Sequence, residues 1–403
     1  MSADEARLFC EAGPGVGLGH VARCLALAEA FEEDGLRPVF VTGQAGQEAL
    51  GWMAPGRYPI SPSSADAQGS CDVAVIDSYA ADCDQIQAIG QGARVTVVLD
   101  DLGDCEFAGG LVVNVAPNAR PESYSEAVAS SARLLLGPTF APLRAAIRQR
   151  RPAVLRNRER RGARAKTMLV TAGGLDGRGL APIFLRAVLA SREAENCNIE
   201  LVLGGQAASW QAVEDLAVSV PDRIRCHRDM LDIDQLFGDA DCSVGPGGIT
   251  LQEKLCLGLP SLAAVVADNQ CGTVEGLAAQ GCVLPIDARS HGPEEIFEAT
   301  RQALDELLED VTARDSMWRR GAALVDGLGA RRVVLAARPE KDRAGRAVTL
   351  RRFRVEDAEA LLSWQREPRI RRFFRNPAAP DPVAHRAWCE ARLADPFGIC
   401  EII

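Results

Sequence analysis

The residue best suited to acid–base chemistry is His20, which directly follows the alternating glycines Gly15, Gly17 and Gly19. Histidine is the usual general base near neutral pH. Glycines let a backbone turn sharply and approach a ligand closely, and the apolar spacing over 21–31 predicts a helix after the loop. The run therefore indicates a strand–loop–helix ligand site, although a tight turn carrying a surface histidine would look the same.

A second glycine run, Gly247 and Gly248, is followed by Ile249, Thr250 and Glu253. We expect a helix over 251–257 with Thr250 as its cap, and free N–H groups that suit a phosphate. Glu253 could accept hydrogen bonds from a ribose diol, or it could close a capping box with Thr250. One glycine loop in each half of the chain fits a nucleotide diphosphate in a cleft.

The elements that position these loops are short, valine-rich apolar runs, which predict parallel strands buried on both faces. Polar side chains follow several of these runs, at the sheet edge where ligands bind in α/β folds. An acid at such a place could equally cap the next helix. These polar residues are Asp77, Tyr79, Asp100, Asp101 and Asn114 in the first half, and Asn269 and Gln270 in the second; Gly173 and Gly174 form the turn after the predicted strand 167–171.

We predict an α/β protein with two Rossmann-like domains, at 1–150 and 164–330, facing a cleft. A polar, basic linker over 331–346 and a smaller α/β segment over 347–403 should follow. Residues 144–166 carry ten Arg and Lys residues against the single acid Glu159. We interpret this stretch as a solvated inter-domain connection, because it lacks the interleaved aromatics of a nucleic-acid site.

Composition narrows the class of protein. The net charge of −10, from 45 basic and 55 acidic residues, argues against nucleic acid as a partner. The 13 cysteines are scattered without a CxxC pair, so we expect reduced thiols and neither a zinc site nor another metal or cofactor. Residues 1–7 lack an apolar stretch and no run could span a bilayer, which favours a cytoplasmic protein without a membrane partner. The sequence does not specify an oligomeric state.

Residues 228–270 resemble the nucleotide-binding half of MurG-type GT-B glycosyltransferases. The first loop and its helix, 15–28, are similar to a narrower group, the UDP-sugar hydrolases of pseudaminic acid biosynthesis. Further segments resemble segments of this family and follow in the same order along the chain, namely 77–79, 100–101, 111–114, 137–144, 172–174 and 269–270. The segment at 10–13 departs from the Arg-x-Asp type that follows the first strand in these hydrolases, which leaves the sugar open.

This resemblance implies a GT-B architecture with a UDP-sugar as substrate and UDP held mainly by the second half. It implies that Gly247, Gly248, Ile249 and Thr250 hold the pyrophosphate, Glu253 the ribose, and Met230 and Leu231 the uracil. His20 would be the catalytic histidine. The remaining residues implied to bind substrate are Gly17, Gly19, Arg23, Asp77, Tyr79, Gly173, Gly174, Asn269 and Gln270.

The implied reaction is inverting hydrolysis of UDP-2,4-diacetamido-2,4,6-trideoxy-β-L-altropyranose, with glycosyl transfer from a UDP-sugar as the alternative. The tail 350–403, with Trp364 and Trp388, resembles the start of a GNAT-type N-acetyltransferase. The glycine-rich loop that would hold the acetyl-CoA pyrophosphate is absent from it. We therefore expect no acetyltransferase activity from this tail.

Overall fold

Two parallel β-sheets organise the chain in a computed structural model, which describes residues 4–13, 16–61, 70–107, 109–162, 164–230, 232–376 and 378–402. The first sheet has the strand order β3-β2-β1-β4-β5-β6-β7. Its strands are β1 (Glu5–Cys10), β2 (Arg37–Val41), β3 (Ile60–Ser61), β4 (Cys71–Asp77), β5 (Ala93–Leu99), β6 (Leu111–Asn114) and β7 (Arg133–Leu136). The helices of this unit are α1 (Gly19–Glu33), α2 (Gln44–Met53), α3 (Cys83–Gly90) and α4 (Glu126–Ser131).

After the helix α5 (Ala145–Glu159), the second sheet has the order β10-β9-β8-β11-β12-β13 and is also parallel. Its strands are β8 (Thr167–Thr171), β9 (Asn198–Leu203), β10 (Ile224–Arg228), β11 (Cys242–Pro246), β12 (Ser261–Val265) and β13 (Leu284–Asp287). The helices are α6 (Leu180–Ala190), α7 (Trp210–Ser219), α8 (Asp234–Asp239), α9 (Ile249–Cys256), α10 (Cys271–Ala279), α11 (Pro293–Glu309) and α12 (Val311–Leu324). The predicted pair of Rossmann-like units is confirmed.

The strand order of each sheet reverses at one pair of neighbours, β1 beside β4 in the first sheet and β8 beside β11 in the second. Ligands of open α/β sheets bind outside the carboxyl ends of the strands at such a reversal. The glycine loop with His20 follows β1, and the loop with Gly247 and Gly248 follows β11. Both predicted loops therefore lie at the positions where the topology leaves a crevice.

The basic stretch 144–166 is not a solvated connection, because its first part is the helix α5, which runs through Pro152. Arg158 is buried and donates to the carbonyl oxygens of Leu257 (2.6 Å), Ala240 (3.0 Å) and Phe237 (2.5 Å). These carbonyls lie at the C-terminal ends of α8 and α9, where carbonyl groups have no hydrogen-bond partner within the helix. The arginines of α5 thus fix the second unit to the helix that connects it to the first.

The predicted linker also differs, because 331–337 belong to the helix α13 (Gly329–Ala337), which packs on α1 of the first unit. Arg332 is buried and forms a bidentate pair with Asp326, at 2.8 and 2.7 Å. Gly329, the first residue of α13, permits the close approach of this helix to the first unit, since a Cβ there would lie 2.1 Å from the carbonyl oxygen of Ala141. Sequence reasoning missed the helix because its arginines suggested solvent exposure.

The tail begins with a hairpin of two-residue strands, which is followed by a strand, three helices and a final strand. Its resemblance to an acetyltransferase remains a prediction. The tail contacts α13 and α5, because Glu401 accepts a hydrogen bond of 3.0 Å from Arg332 of α13 and the carbonyl of Pro396 accepts one of 2.6 Å from Arg151 of α5. The elements are β14 (Glu340–Lys341), β15 (Ala347–Val348), β16 (Arg351–Arg352), α14 (Ala358–Arg366), α15 (Pro368–Arg371), α16 (Pro382–Ala394) and β17 (Glu401–Ile402).

Candidate active site

A cleft of about 1280 Å³ lies between the two units, and we call it the interdomain cleft. It brings together 15 of the predicted site residues. These are Gly17, Gly19, His20, Arg23, Tyr79, Gly173, Gly174, Met230, Gly247, Gly248, Ile249, Thr250, Glu253, Asn269 and Gln270. Asp77 lies behind the wall of the cleft, and Leu231 is outside the described residues.

The glycine loop before α1 approaches the loop after β8, which contains Gly173 and Gly174, across this cleft. Gly17 adopts a φ of +78°, a left-handed conformation that favours glycine, and α1 begins two residues later at Gly19. A Cβ on Gly174 would lie 2.9 Å from Cδ1 of Leu18. The close approach of the two loops therefore depends on the missing side chain at 174.

His20 is buried in the first turn of α1, with 3 % of its surface exposed. Its Nδ1 donates to the main-chain oxygen of Asp77 at 2.9 Å, and the carboxylate of Asp77 lies 3.3 Å from the same nitrogen. In the neutral ring this leaves Nε2 as the proton acceptor. Nε2 has no hydrogen-bond partner among the described residues. His20 lines the cleft, so it is not the surface histidine that the sequence also allowed, and its ring keeps one nitrogen unpaired.

Arg23 lies one turn further along α1 and is buried between two carboxylates. It forms a bidentate pair with Asp77, at 2.9 and 2.6 Å, and donates to both oxygens of Asp101, at 2.6 and 2.7 Å. Burial opposes charging, but the two carboxylates raise the pKa of Arg23 well above its ordinary value. Sequence reasoning placed Arg23 and Asp77 on the substrate; here Arg23 fixes Asp77, which in turn orients His20.

Tyr79 connects this cluster to the second unit. Its hydroxyl donates to Asp101 at 2.5 Å and accepts from Nδ2 of Asn269 at 2.6 Å. Its ring meets His20 edge-on, with centroids 4.4 Å apart. The main-chain N–H of Tyr79 donates to Glu11 at 2.6 Å, and Glu11 lies 3.7 Å from Nδ1 of His20. Acidic groups thus surround the protonated side of the imidazole, which would stabilise an imidazolium formed during a reaction.

The second glycine loop differs in detail from the prediction. The helix α9 begins at Ile249 with Gly248 as its N-cap, so Thr250 is within the first turn and does not cap it. Gly247 already donates its N–H to the carbonyl of Ala264 at 2.9 Å. The residues of the first helical turn line the cleft, and their N–H groups with the positive end of the helix dipole are suited to an anion.

Glu253 is not part of a capping box, because Arg144 holds it from across the domain boundary. Nε of Arg144 donates to Oε1 at 2.8 Å and Nη2 donates to Oε2 at 3.2 Å. The carboxylate raises the pKa of Arg144, although burial opposes this. Glu253 remains at the cleft wall, where a carboxylate with further lone pairs can accept from a ligand hydroxyl.

Met230 lines the cleft beside α8 and packs on the apolar core. Gln270 stabilises the loop after β12, because its Oε1 accepts from the N–H of Val266 at 3.1 Å. Asn269 uses its Nδ2 on Tyr79, while its Oδ1 has no partner among the described residues. The Asn-Gln pair therefore contributes one loop contact and one cross-domain contact.

Several residues at the cleft were not singled out as site residues from the sequence. Gln252 could have been found from the sequence, because it lies between Thr250 and Glu253 of the second glycine motif. Thr171 ends β8 and accepts a hydrogen bond of 3.0 Å from the fully buried Lys254. Trp52 reaches the cleft from the C-terminal end of α2, and no motif marks it.

Within the described ranges, no group of three or more His, Cys, Asp or Glu side chains is arranged to hold a metal ion. No helix in the same ranges has the length and apolar character needed to cross a membrane. The interdomain cleft thus combines a buried imidazole with an unpaired nitrogen, a helix N-terminus and a carboxylate held by an arginine.

Two parallel α/β units with the ligand cleft between them define the GT-B architecture. The solved structure of Acinetobacter baumannii MurG covers 82% of this chain and 98% of its own, with a TM-score of 0.55 and 15% identity. A co-structure of S. aureus MnaA with UDP has a TM-score of 0.51 at 13% identity, covering 82% of this chain and 95% of that one. The predicted GT-B fold is confirmed.

Among curated proteins, the chain is homologous to the spore coat polysaccharide biosynthesis protein SpsG of Bacillus subtilis (strain 168). The two are 23% identical over 342 residues, which are 81% of this chain and 95% of SpsG. A shorter match, 34% identical over 96 residues, is to a processive diacylglycerol beta-glucosyltransferase of Bacillus pumilus (strain SAFR-032) and covers 24% of each protein. No protein-family model matches the chain.

Proposed function

We propose that this protein is an enzyme of polysaccharide or glycoconjugate biosynthesis that hydrolyses a UDP-linked sugar, with His20 as the general base. The observation that carries the proposal is the imidazole of His20, held by the main-chain oxygen of Asp77 through Nδ1 while Nε2 is left without a partner at the cleft. The homology to SpsG and the GT-B architecture support a sugar nucleotide as the substrate.

In this mechanism Nε2 of His20 accepts a proton from a water molecule as the water oxygen bonds to the anomeric carbon. The bond from that carbon to the diphosphate oxygen breaks, and UDP leaves with the electron pair. Attack from the face opposite the leaving group inverts the anomeric configuration. The N–H groups at the start of α9 are suited to stabilise the charge that develops on the leaving diphosphate.

We place UDP mainly against the second unit. The diphosphate would lie against Gly248, Ile249 and Thr250, and the ribose against Glu253, which Arg144 holds in place. The uracil would lie near Met230, at the cleft wall beside α8. Asp77 and Arg23 would act as positioning residues, since both are engaged with each other.

For the sugar we propose the UDP-linked 2,4-diacetamido-2,4,6-trideoxy-L-altrose unit of pseudaminic acid biosynthesis, on the resemblance of the loop before His20. A second candidate is transfer of the sugar to an acceptor hydroxyl. Two observations favour it: the partial match to a glucosyltransferase, and a cleft of about 1280 Å³, above the roughly 300–1,000 Å³ usual for a single small ligand.

The test is to incubate the purified protein with UDP-sugars in H₂¹⁸O and follow the anomeric signals by NMR. Hydrolysis predicts free sugar of inverted configuration with ¹⁸O at the anomeric carbon, in the absence of any acceptor. Turnover that appears only when an acceptor is added would replace hydrolysis with transfer. UDP binding without turnover under either condition would contradict an enzymatic role.

A further inference from the structure

Gln252 is a buried amide without partners at the wall of the interdomain cleft. Only 1 % of its surface is exposed, and neither Nε2 nor Oε1 has a hydrogen-bond partner among the described residues. It lies in α9 between the anion site at the helix start and the carboxylate of Glu253, and it lines the cleft.

An unpaired buried amide is costly, because each unsatisfied polar group forfeits its hydration. Folding alone would favour an apolar side chain of similar size at this position. Unpaired buried atoms also occur on two other residues of the cleft, His20 and Asn269. Polar groups left without partners at one cleft indicate that a ligand completes them.

The two free atoms define the chemistry of the group that would pair with them. Nε2 can only donate and Oε1 can only accept, so the partner must offer both an acceptor and a donor. An ionised phosphate offers acceptors alone and would leave Oε1 unpaired. A vicinal pair of hydroxyls offers both, since each hydroxyl is at once donor and acceptor.

Glu253 lacks one half of this chemistry. Its carboxylate accepts hydrogen bonds but cannot donate, and Arg144 directs its own donors at Glu253. Side chains of a helix lean toward its N-terminus, so Gln252 and Glu253 both extend toward the end of α9 where the diphosphate would lie. The donor of Gln252 and the acceptors of Glu253 are complementary for one diol.

We propose that Gln252 is a binding residue for the ribose diol of the nucleotide, pairing with it together with Glu253. This inference rests on the proposed function, because it takes a uridine diphosphate as the ligand. Gln252 would thereby make the site select a ribonucleotide over its 2′-deoxy counterpart.

The experiment compares the wild type with Gln252→Leu, an apolar side chain of similar size, by calorimetry with UDP and with 2′-deoxy-UDP. We expect about tenfold weaker binding of UDP to the variant, the scale of one to two hydrogen bonds. The affinity for 2′-deoxy-UDP should change by less than about threefold, because part of the contact is already lost. The melting temperature of the free variant should be unchanged or higher.

Gln47→Leu is the matched control, because the amide of Gln47 bonds to the carbonyl of Thr42 outside the cleft. It should leave the affinity for UDP unchanged. Gln252→Met is a second apolar variant and provides the same comparison should the leucine variant fail to fold.

Equal UDP affinity in the wild type and the Gln252 variants would overturn the assignment alone. An equal loss for UDP and 2′-deoxy-UDP would also overturn it, by moving the contact away from the diol. If the wild type neither turns over nor binds any uridine nucleotide, the proposed function is overturned, and this assignment with it.

Discussion

The hydroxyl of Tyr79 accepts a hydrogen bond of 2.6 Å from Nδ2 of Asn269, which joins the two α/β units across the cleft. The same hydroxyl donates to Asp101, and Asp101 is held by Arg23. The chain of contacts runs from the second unit to the residue that fixes Asp77, and so to His20. The relative position of the two units and the orientation of the base are therefore connected.

This contact predicts an energetic coupling between Tyr79 and Asn269. We expect Tyr79→Phe and Asn269→Ala each to lower the free energy of unfolding, and the double variant to lose less than the sum by about 0.5–1.5 kcal/mol, the worth of one neutral hydrogen bond. Urea unfolding of the four proteins measures the cycle. Strictly additive losses would mean that the two side chains do not interact in solution.

His20→Asn should reduce turnover of the UDP-sugar by about 10²–10⁴-fold, the usual contribution of a general base. UDP affinity should change little, because the proposed nucleotide site lies in the second unit. Steady-state kinetics and calorimetry measure the two quantities. The control is His227→Asn, since His227 of β10 pairs with Glu200 of β9, away from the cleft. Joint loss of UDP binding and turnover in His20→Asn would assign His20 a structural role.

Glu253→Gln should weaken UDP binding by about 1.5–3 kcal/mol, the range for a hydrogen bond to a charged group. The amide keeps the size of the side chain but loses the charge that Arg144 and a ribose hydroxyl would share. Calorimetry of wild type and variant measures the difference. Glu33→Gln removes a comparable cross-helix pair with Arg148 at the surface and should leave UDP binding unchanged. Equal affinities in all three proteins would remove Glu253 from the nucleotide site.

Lys254 predicts a pH dependence of stability. Burial lowers its pKa to about 7 in the folded chain, whereas an unfolded lysine titrates near 10.4. Between these values the unfolded chain binds a proton that the folded chain does not, so the free energy of unfolding should rise with pH from about 7 toward 10. Lys254→Met should flatten this rise relative to the wild type and to Lys341→Met, an exposed control. Urea unfolding at several pH values tests it, and parallel pH profiles in the three proteins would contradict it.

Deleting residues 338–403 should lower the melting temperature but leave the turnover per folded molecule largely intact. The deletion removes Glu401 and Pro396, the tail partners of the buried Arg332 and Arg151, while the residues of the cleft lie upstream. Thermal unfolding and kinetics of the shortened chain measure both effects. Glu401→Gln, which removes the charge from one of these contacts, should show a smaller drop. A shortened chain with unchanged melting temperature would show that the tail contacts contribute no stability.

Much of the fold follows from patterns that are local in the chain. Apolar runs such as β4 and β12 predict buried parallel strands, because helices cover both faces of such a sheet. The glycine loops before α1 and α9 are visible as spacing alone. Those two loops, with His20 and Glu253, identify most of the candidate site from the sequence alone.

What the sequence could not reveal depends on pairings between distant segments. Arg23 and Asp77 read as ligand contacts, yet 54 positions apart in the chain they form a buried ion pair that serves His20. Glu253 read as either a cap or a ribose contact, and Arg144, 109 positions away, excludes the cap. In the sequence, a charged residue that contacts a ligand cannot be distinguished from one that pairs with another side chain. Only the packing of the two units decides which, because the cost of burying a charge is met by whichever partner folding brings within reach.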